Sequence, residues 1–230
     1  MSPGTAPAGL GPTTLSAGHG TRLLGSPPPN AKGKAMEFSE VVRRRRMVRN
    51  YLPDPIPAEA LERVLDRARR APSAGFSQGQ SFVVVTDPER RRAVAALAHE
   101  EEYVSAGFDP WLSRAPVHVI VCTSEAVYRD RYSEPDKASP DDAQDWPVPY
   151  WHIDAGASLM LLLLAAVDEG LAAGFAGSHN LAGIKSLLDI PDEVTPIGLV
   201  TLGYAAPDRQ SGSLDRGWKA VEDVIHLEAW

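Results

Sequence analysis

Five arginines in seven residues, Arg43-Arg44-Arg45-Arg46-Met47-Val48-Arg49, form the densest run of charge in the chain. A guanidinium stays protonated at any working pH and offers a planar fork of donors to phosphate oxygens. In a chain of formal net charge −7 such a cluster is locally unusual. It reads either as an anion site or as an ordinary solvated helix face. A second segment runs Ala71-Pro72-Ser73-Ala74-Gly75-Phe76-Ser77-Gln78-Gly79-Gln80-Ser81-Phe82. Its small residues let the backbone approach a flat ligand, whose carbonyl oxygens and ring nitrogens then meet main-chain N–H groups. The plain alternative is a helix-to-strand connection. No G-x-G-x-x-G follows a strand and there is no G-x-x-x-x-G-K-[ST], so a nucleotide would have to be held some other way.

The remaining reactive side chains point to no second chemistry. Cys122 sits inside the apolar run Val117–Cys122 and reads as a buried strand residue. A lone cysteine forms no internal disulfide, which predicts a reducing, cytoplasmic setting. His118, in the same run, reads as a core histidine, while His152 and His179 flank the candidate site. No His, Cys, Asp or Glu spacing suggests a metal, and neither a Ser-His-Asp order nor G-x-S-x-G is recognisable.

The elements that must position these residues follow from periodicity and punctuation. Residues 1 to 35 are rich in Gly, Pro, Ser, Thr and Ala and read as a disordered tail or an arm on a partner subunit. Phe38, Val41 and Val42 give a short helical stripe ahead of the arginines. Leu61, Val64, Leu65 and Ala68 predict a helix opened by Pro57. A strand is expected over 82–86, a helix capped by Asp87-Pro88 through Leu97, and a strand from Pro116 to Thr123. Residues 124–150 are charged and proline-rich, with Tyr128, Tyr132, Trp146 and Tyr150, and read as an exposed mobile lid. Asp154 is expected to cap a helix to about Glu169, apolar nearly all round and therefore buried on several sides. Its longest apolar run, Leu159 to Val167, is short of the roughly 20 residues that cross a bilayer. A helix over 180–188 and a strand over 197–204 follow, and 221–227 reads as a strand or an exchanged arm. Alternating strands and helices suggest an α/β domain or an α+β sandwich.

In this order, the segments resemble the nitroreductase family. Its Arg-Arg/His-Ser-x-Arg/Lys signature is matched by Arg45-Arg46-Met47-Val48-Arg49, with Ile56-Pro57 beyond. Its Ala-Pro-Ser-rich loop before a Val-rich strand is matched by Ala71 to Phe82. Its Asp-capped apolar helix, Gly-Leu and small-residue strand are matched by Asp154 to Val167, Gly170-Leu171 and Gly174-Phe175-Ala176-Gly177-Ser178-His179. Its Ile-Gly-x-Val-x-Leu-Gly-Tyr strand and following arginine are matched by Ile197 to Tyr204 and Arg216. The resemblance covers residues 38 to 228. Three positions depart from it: Met47 replaces a serine, Phe76 an asparagine, and Gly79-Gln80 a Pro-Trp pair.

The resemblance implies an α+β three-layer sandwich, a mixed central sheet flanked by helices, in an intertwined homodimer. It further implies one domain over residues 36–230 with a lid insertion at 124–150. FMN would lie at the subunit interface. Arg45, Arg46, Met47, Arg49 and Arg216 would meet its phosphate and ribityl chain. Pro72, Ser73, Ala74 and Phe76 would line its edge from the other subunit, and Phe175, Ala176, Gly177 and Ser178 would face its ring. Phe76, Tyr128, Trp146, Tyr150 and His179 would contact substrate. NADPH or NADH would donate hydride and a small-molecule acceptor, nitroaromatic or quinone-like, would receive it in a ping-pong cycle. No side-chain acid or base is required, because the flavin carries the chemistry. A dehalogenating or flavin-fragmenting relative, or an FMN- or nucleic-acid-binding module without turnover, remains the alternative. The acidic balance predicts no general nucleic-acid binding, and no membrane partner is expected.

Overall fold

The computed structural model describes residues 36–138, 146–177, 181–209 and 212–230. Four apolar runs pair into one sheet: β1 (Gln80–Val85), β2 (Val117–Thr123), β3 (Ala172–Gly177) and β4 (Thr195–Gly203), in the order β1-β2-β4-β3. Strand alternation divides β2 between two cores. Val117, Val119 and Val121 pack with α2 (Ala58–Ala68) and α7 (Tyr150–Asp168). Ile120 and Cys122 pack on the opposite face with α3 (Pro88–Leu97), α5 (Trp111–Arg114) and α8 (Ile184–Leu187). The result is the expected three-layer α+β sandwich, with α1 (Phe38–Arg44) and α4 (Glu100–Ser105) at its margins.

All three strand pairings are antiparallel. The mixed character expected of the sheet is confined, among the described residues, to one parallel bridge between Met47 and Ala173. Asp87 caps α3 as expected, its carboxylate accepting the Arg90 N–H at 2.8 Å. Two short helices escaped the sequence reading. The buried Glu100 at the start of α4 accepts the Leu112 and Ser113 N–H groups at 2.6 and 2.9 Å, and so anchors α5.

Helix α7 departs from expectation at its start. It begins at Tyr150, so Asp154 lies in the second turn and is not its cap. Within one chain it is buried on its sheet-facing side. Leu162, Leu163, Ala165 and Ala166 face the sheet, whereas Ile153 and Met160 are 51% and 45% exposed on the outward stripe shared with Ala157 and Leu164. An 18-residue stretch of this 19-residue helix has a mean hydropathy of 1.5 and satisfies the length and composition of a membrane span, although no single apolar run in it does. Its C-terminal end is fixed by charge. Glu169 receives Arg63 at 2.7 Å and Arg67 at 2.8 Å; burial opposes its ionisation, the two guanidiniums outweigh that, and its pKa is lowered.

Residues 221–227 form no strand here. A single 3-10 turn covers Val221–Asp223, and every described residue from 212 onward is exposed, including Trp218 at 94% and Leu227 at 85%. Residues 125–132, expected to be irregular lid, form a helix, α6 (Glu125–Tyr132). The expected tail, residues 1–35, and the lid residues 139–145 lie outside the described residues.

His118 is fully buried as expected, with Nε2 hydrogen-bonded to the Leu112 carbonyl at 2.7 Å. Burial lowers its pKa to about 4. Between that value and the ordinary 6.5 the unfolded chain binds one more proton than the folded one, so stability is lost as pH falls through this window. Denaturant unfolding is expected to show a slope from this residue approaching 1.4 kcal/mol per pH unit. Replacing it by Gln should flatten the profile between pH 6.5 and 4; a slope unchanged by His118→Gln would refute the assignment.

Candidate functional site

The arginine segment lies along the outer edge of β3, parallel to it at Met47, and continues into an antiparallel bridge between Tyr51 and Ala205. Met47 bridges Ala173, and the Val48 N–H donates to the Ala173 carbonyl at 2.9 Å. A Cβ at Gly174 would stand 2.4 Å from the Val48 carbonyl oxygen, so this approach requires glycine there. The segment is then stitched to the chain beyond β4. The Arg49 N–H donates to Asp208 Oδ2 at 2.8 Å, Asn50 Nδ2 to the Pro207 carbonyl at 2.8 Å, and the Leu52 N–H to the Tyr204 carbonyl at 2.9 Å. Tyr51, buried, donates its hydroxyl to the Val48 carbonyl at 2.9 Å.

Ion pairing divides the arginines of this region into two groups. Arg43 and Arg44 both pair with Glu40, Arg63 and Arg67 with Glu169, and Arg69 and Arg70 with Asp66. Arg45, Arg46 and Arg49 have no carboxylate partner among the described residues, and Arg49 instead lies over the Trp111 ring, 6.0 Å from its centroid. The parallel register carries Arg49 toward the level of Phe175, so the expected phosphate arginines and Phe175–Gly177 come together. Ser178 and His179 lie outside the described residues. Arg216, exposed in the 3-10 turn Gly212–Arg216, is placed in the outlying C-terminal segment.

The loop 72–76 sits at the other edge, leading into β1. Three strand spacings, about 14 Å, separate β1 from β3. Its shape is unusual: Gly75, Phe76 and Gln78 have φ of +62°, +56° and +55°. A left-handed conformation costs an L-residue energy, and Phe76 adopts it while leaving its ring 73% exposed. The Ala74 N–H donates to Asp154 Oδ2 at 2.8 Å.

The aromatic residues of 124–151 are not free faces. Tyr128 is fully buried, its hydroxyl donating to the same Asp154 Oδ2 at 2.8 Å, so its expected contact with substrate gives way to a supporting position. Its pKa is raised, by burial first and by the Asp154 acceptor second. Trp146 packs edge-on to Tyr132 at 4.7 Å and leans on Trp151 at 5.8 Å, with Arg129 over both indoles at 5.6 Å. Tyr150 is 45% exposed and keeps an open side. Sequence reasoning missed Asp154 and Asp208 as site residues. Asp154 has the sequence context of a cap, and an acid inside an apolar helix is the signal for a distant partner.

A family model described as the nitroreductase family matches residues 42–204. The chain belongs to the nitroreductase family. A Methanothermobacter thermautotrophicus protein, provisionally named NADH dehydrogenase/NAD(P)H nitroreductase, is 28% identical over 206 residues, covering 87% of this chain and 92% of its own. An iodotyrosine deiodinase of Haliscomenobacter hydrossis is 27% identical over 217 residues, covering 86% and 93%. In structure, a nitroreductase family protein of Streptococcus pneumoniae has a TM-score of 0.66 at 21% identity, covering 83% of this chain and all of that one. Family membership supports an oxidoreductase on an α+β nitroreductase fold.

Within this nitroreductase-family site, the position of Phe76 makes its own test. Asparagine tolerates the left-handed region far better than phenylalanine, and the exposed ring makes little packing contribution. Phe76→Asn is expected to raise unfolding stability by about 1 kcal/mol. A loss of stability in chemical denaturation would contradict the backbone strain at this residue.

Proposed function

We propose that the protein is an FMN-dependent oxidoreductase that moves hydride from NADPH or NADH to nitroaromatic or quinone-type acceptors by a ping-pong mechanism. The observation that carries this reading is the trio Arg45, Arg46 and Arg49, left without carboxylates in a stretch whose other arginines are all paired. Arg45 and Arg49 are half-buried without an ion-pair partner among the described residues, which is unfavourable until an anion arrives; with the exposed Arg46 beside them, a phosphate monoester suits the three guanidiniums. These residues fit FMN. When bound, it supplies the hydride chemistry; no side chain need act as acid or base.

The chain's own residues bind and orient. Arg45, Arg46 and Arg49, joined by Arg216, would hold the phosphate and ribityl chain, with Met47 beside them offering no hydroxyl. Backbone groups of Phe175, Ala176, Gly177 and Ser178 would meet the polar edge of the ring, and His179 would stand near substrate. Pro72, Ser73 and Ala74 would line the opposite edge. Phe76, exposed and projecting, supports a flat apolar acceptor, with Tyr150 and Trp146 further out.

Two features support a homodimer in which one subunit's arginines share a ligand with the partner's 72–76 loop. The two half-sites lie at opposite sheet edges of one chain. The outward stripe of α7 and the extended arm beyond residue 212 also expose Ile153, Met160, Leu214, Trp218 and Leu227, an apolar total that a second copy would cover. The lone buried thiol of Cys122, whose pKa burial pushes up to about 11, accords with a reducing cytoplasm. A second reading rests on the deiodinase relative: the same site would reduce a halogenated aromatic. Iodotyrosine, offered beside a quinone and a nitroaromatic to the reduced protein, separates the two.

The purified protein is expected to be yellow and to sediment as a dimer. A folded 24.8 kDa species with full FMN occupancy would refute the shared site. Arg49→Ala is expected to weaken FMN binding by about 1.5–3 kcal/mol, the range for a hydrogen bond to a charged group. An unchanged dissociation constant in a flavin fluorescence titration would remove Arg49 from the site.

A further inference from the structure

We infer that Asp154 and Tyr128 are positioning residues that hold the 73–79 loop in its left-handed form, and that α6 thereby sets how the loop meets the flavin and its acceptor. This rests on the FMN reading above. One carboxylate oxygen, Asp154 Oδ2, takes both the Ala74 N–H and the Tyr128 hydroxyl at 2.8 Å. Asp154 is only 8% exposed and Tyr128 is fully buried, so neither bond is readily replaced by water. Around this oxygen the loop is gripped from three further directions. Arg131 Nε donates to the Gly75 carbonyl at 2.9 Å, while its other nitrogens are held by Asp136 at 2.7 Å and Glu134 at 3.0 Å. The Ser124 N–H donates to the Gly79 carbonyl at 3.0 Å. Tyr132 lies so close that a Cβ on Gly75 would be 2.7 Å from its ring.

Loop strain makes this grip meaningful. Phe76 and Gln78 hold φ near +55° without being glycine, and strained backbone persists only where the surroundings over-determine it. Within the loop itself the restraints are short-range turn bonds, Phe76 N–H to the Ser73 carbonyl and Gln78 N–H to Ser73 Oγ, both at 2.9 Å. The long-range restraints come from α6, from the residue before it and from Asp154. Because Trp146 packs edge-on and Trp151 tilted against Tyr128, the aromatic cluster couples the position of residues 146–151 to the same loop. Sequence changes in α6 would therefore alter acceptor choice without touching acceptor.

The test uses the full chain, free and with FMN. Asp154→Ala, Asp154→Asn and Tyr128→Phe are compared with wild type by hydrogen exchange of residues 73–79, FMN fluorescence titration and flavin midpoint potential. Asp154→Ala is expected to speed exchange in the loop and to weaken FMN binding about tenfold or more, since two buried donors lose their acceptor. Tyr128→Phe should do the same more weakly, roughly two- to fivefold, since one bond is lost. Asp154→Asn keeps an acceptor oxygen and should restore loop protection and binding most of the way. Unchanged exchange at 73–79 together with unchanged FMN binding in a folded Asp154→Ala protein would overturn the inference. So would an Asn variant as damaged as Ala while Tyr128→Phe is silent. If Asp154→Ala does not fold, Tyr128→Phe decides: faster exchange confined to 73–79 supports the clamp, and unchanged exchange overturns it. Failure of wild type to bind FMN would instead overturn the proposed function, and the exchange data on the free protein would still report on the clamp.

Discussion

The absence of a side chain at position 174 governs how the arginine segment meets the sheet. With the Val48 carbonyl 2.4 Å from where a Cβ would sit, any larger residue would push residues 45–49 away from β3. The bridge between Met47 and Ala173 would go with it, as would the main-chain bond from Val48. That contact fixes the register of the guanidinium groups against Phe175–Gly177. It also explains why the segment is extended where the helix before it ends: a helix cannot add itself to a strand edge. Asp208, Pro207 and Tyr204 then hold the segment from its other side, so its backbone is fixed by hydrogen bonds.

Charge is distributed with the same division of labour. Arginines that hold helices together find acids: Arg63 and Arg67 meet the buried Glu169, and Arg69 and Arg70 share Asp66. Exposed pairs such as Arg43 with Glu40 contribute little to stability, typically 0–1 kcal/mol. Their effect is on the local field, because Glu40 draws the first two arginines of the run toward itself, while the last three have no ion pair among the described residues. A run of five like charges is thus sorted by a single acid three and four residues upstream.

What the sequence made legible follows from the range of each interaction. The central strands, α2 and α3 could be read because continuous apolar runs, period-3.6 apolar spacing and the Asp87 cap are local signals. Helix α6 could not. Its composition is that of a loop, and it is helical because Tyr128 is buried against Trp151 and Asp154, twenty or more residues away in sequence. The start of α7 was misplaced for a related reason. An acid ahead of an apolar run has the form of a cap, and only the positions of Ala74 and Tyr128 reveal that its carboxylate points sideways. The arginine segment was legible as chemistry, but its unpaired trio was not, because which arginines Glu40 takes depends on where α1 ends, at Arg44.

Phe76 is the place where local rules and the fold disagree most plainly. The family resemblance places an asparagine at this position, and asparagine is among the residues that accept positive φ at modest cost. Phenylalanine is not, yet the backbone here still turns left-handed. Its ring is not repaid by burial within the chain, being 73% exposed. A sequence that breaks a local preference without a gain inside its own core is expected to find the gain elsewhere, commonly at a functional surface. Under the proposed function such a place exists: the loop at the β1 edge would face a partner subunit's flavin, where a large flat side chain would exchange a polar contact for an apolar wall. The substitution would then shift the site from hydrogen-bonding its ligand's edge toward stacking on it, favouring acceptors with extended apolar faces over small polar ones.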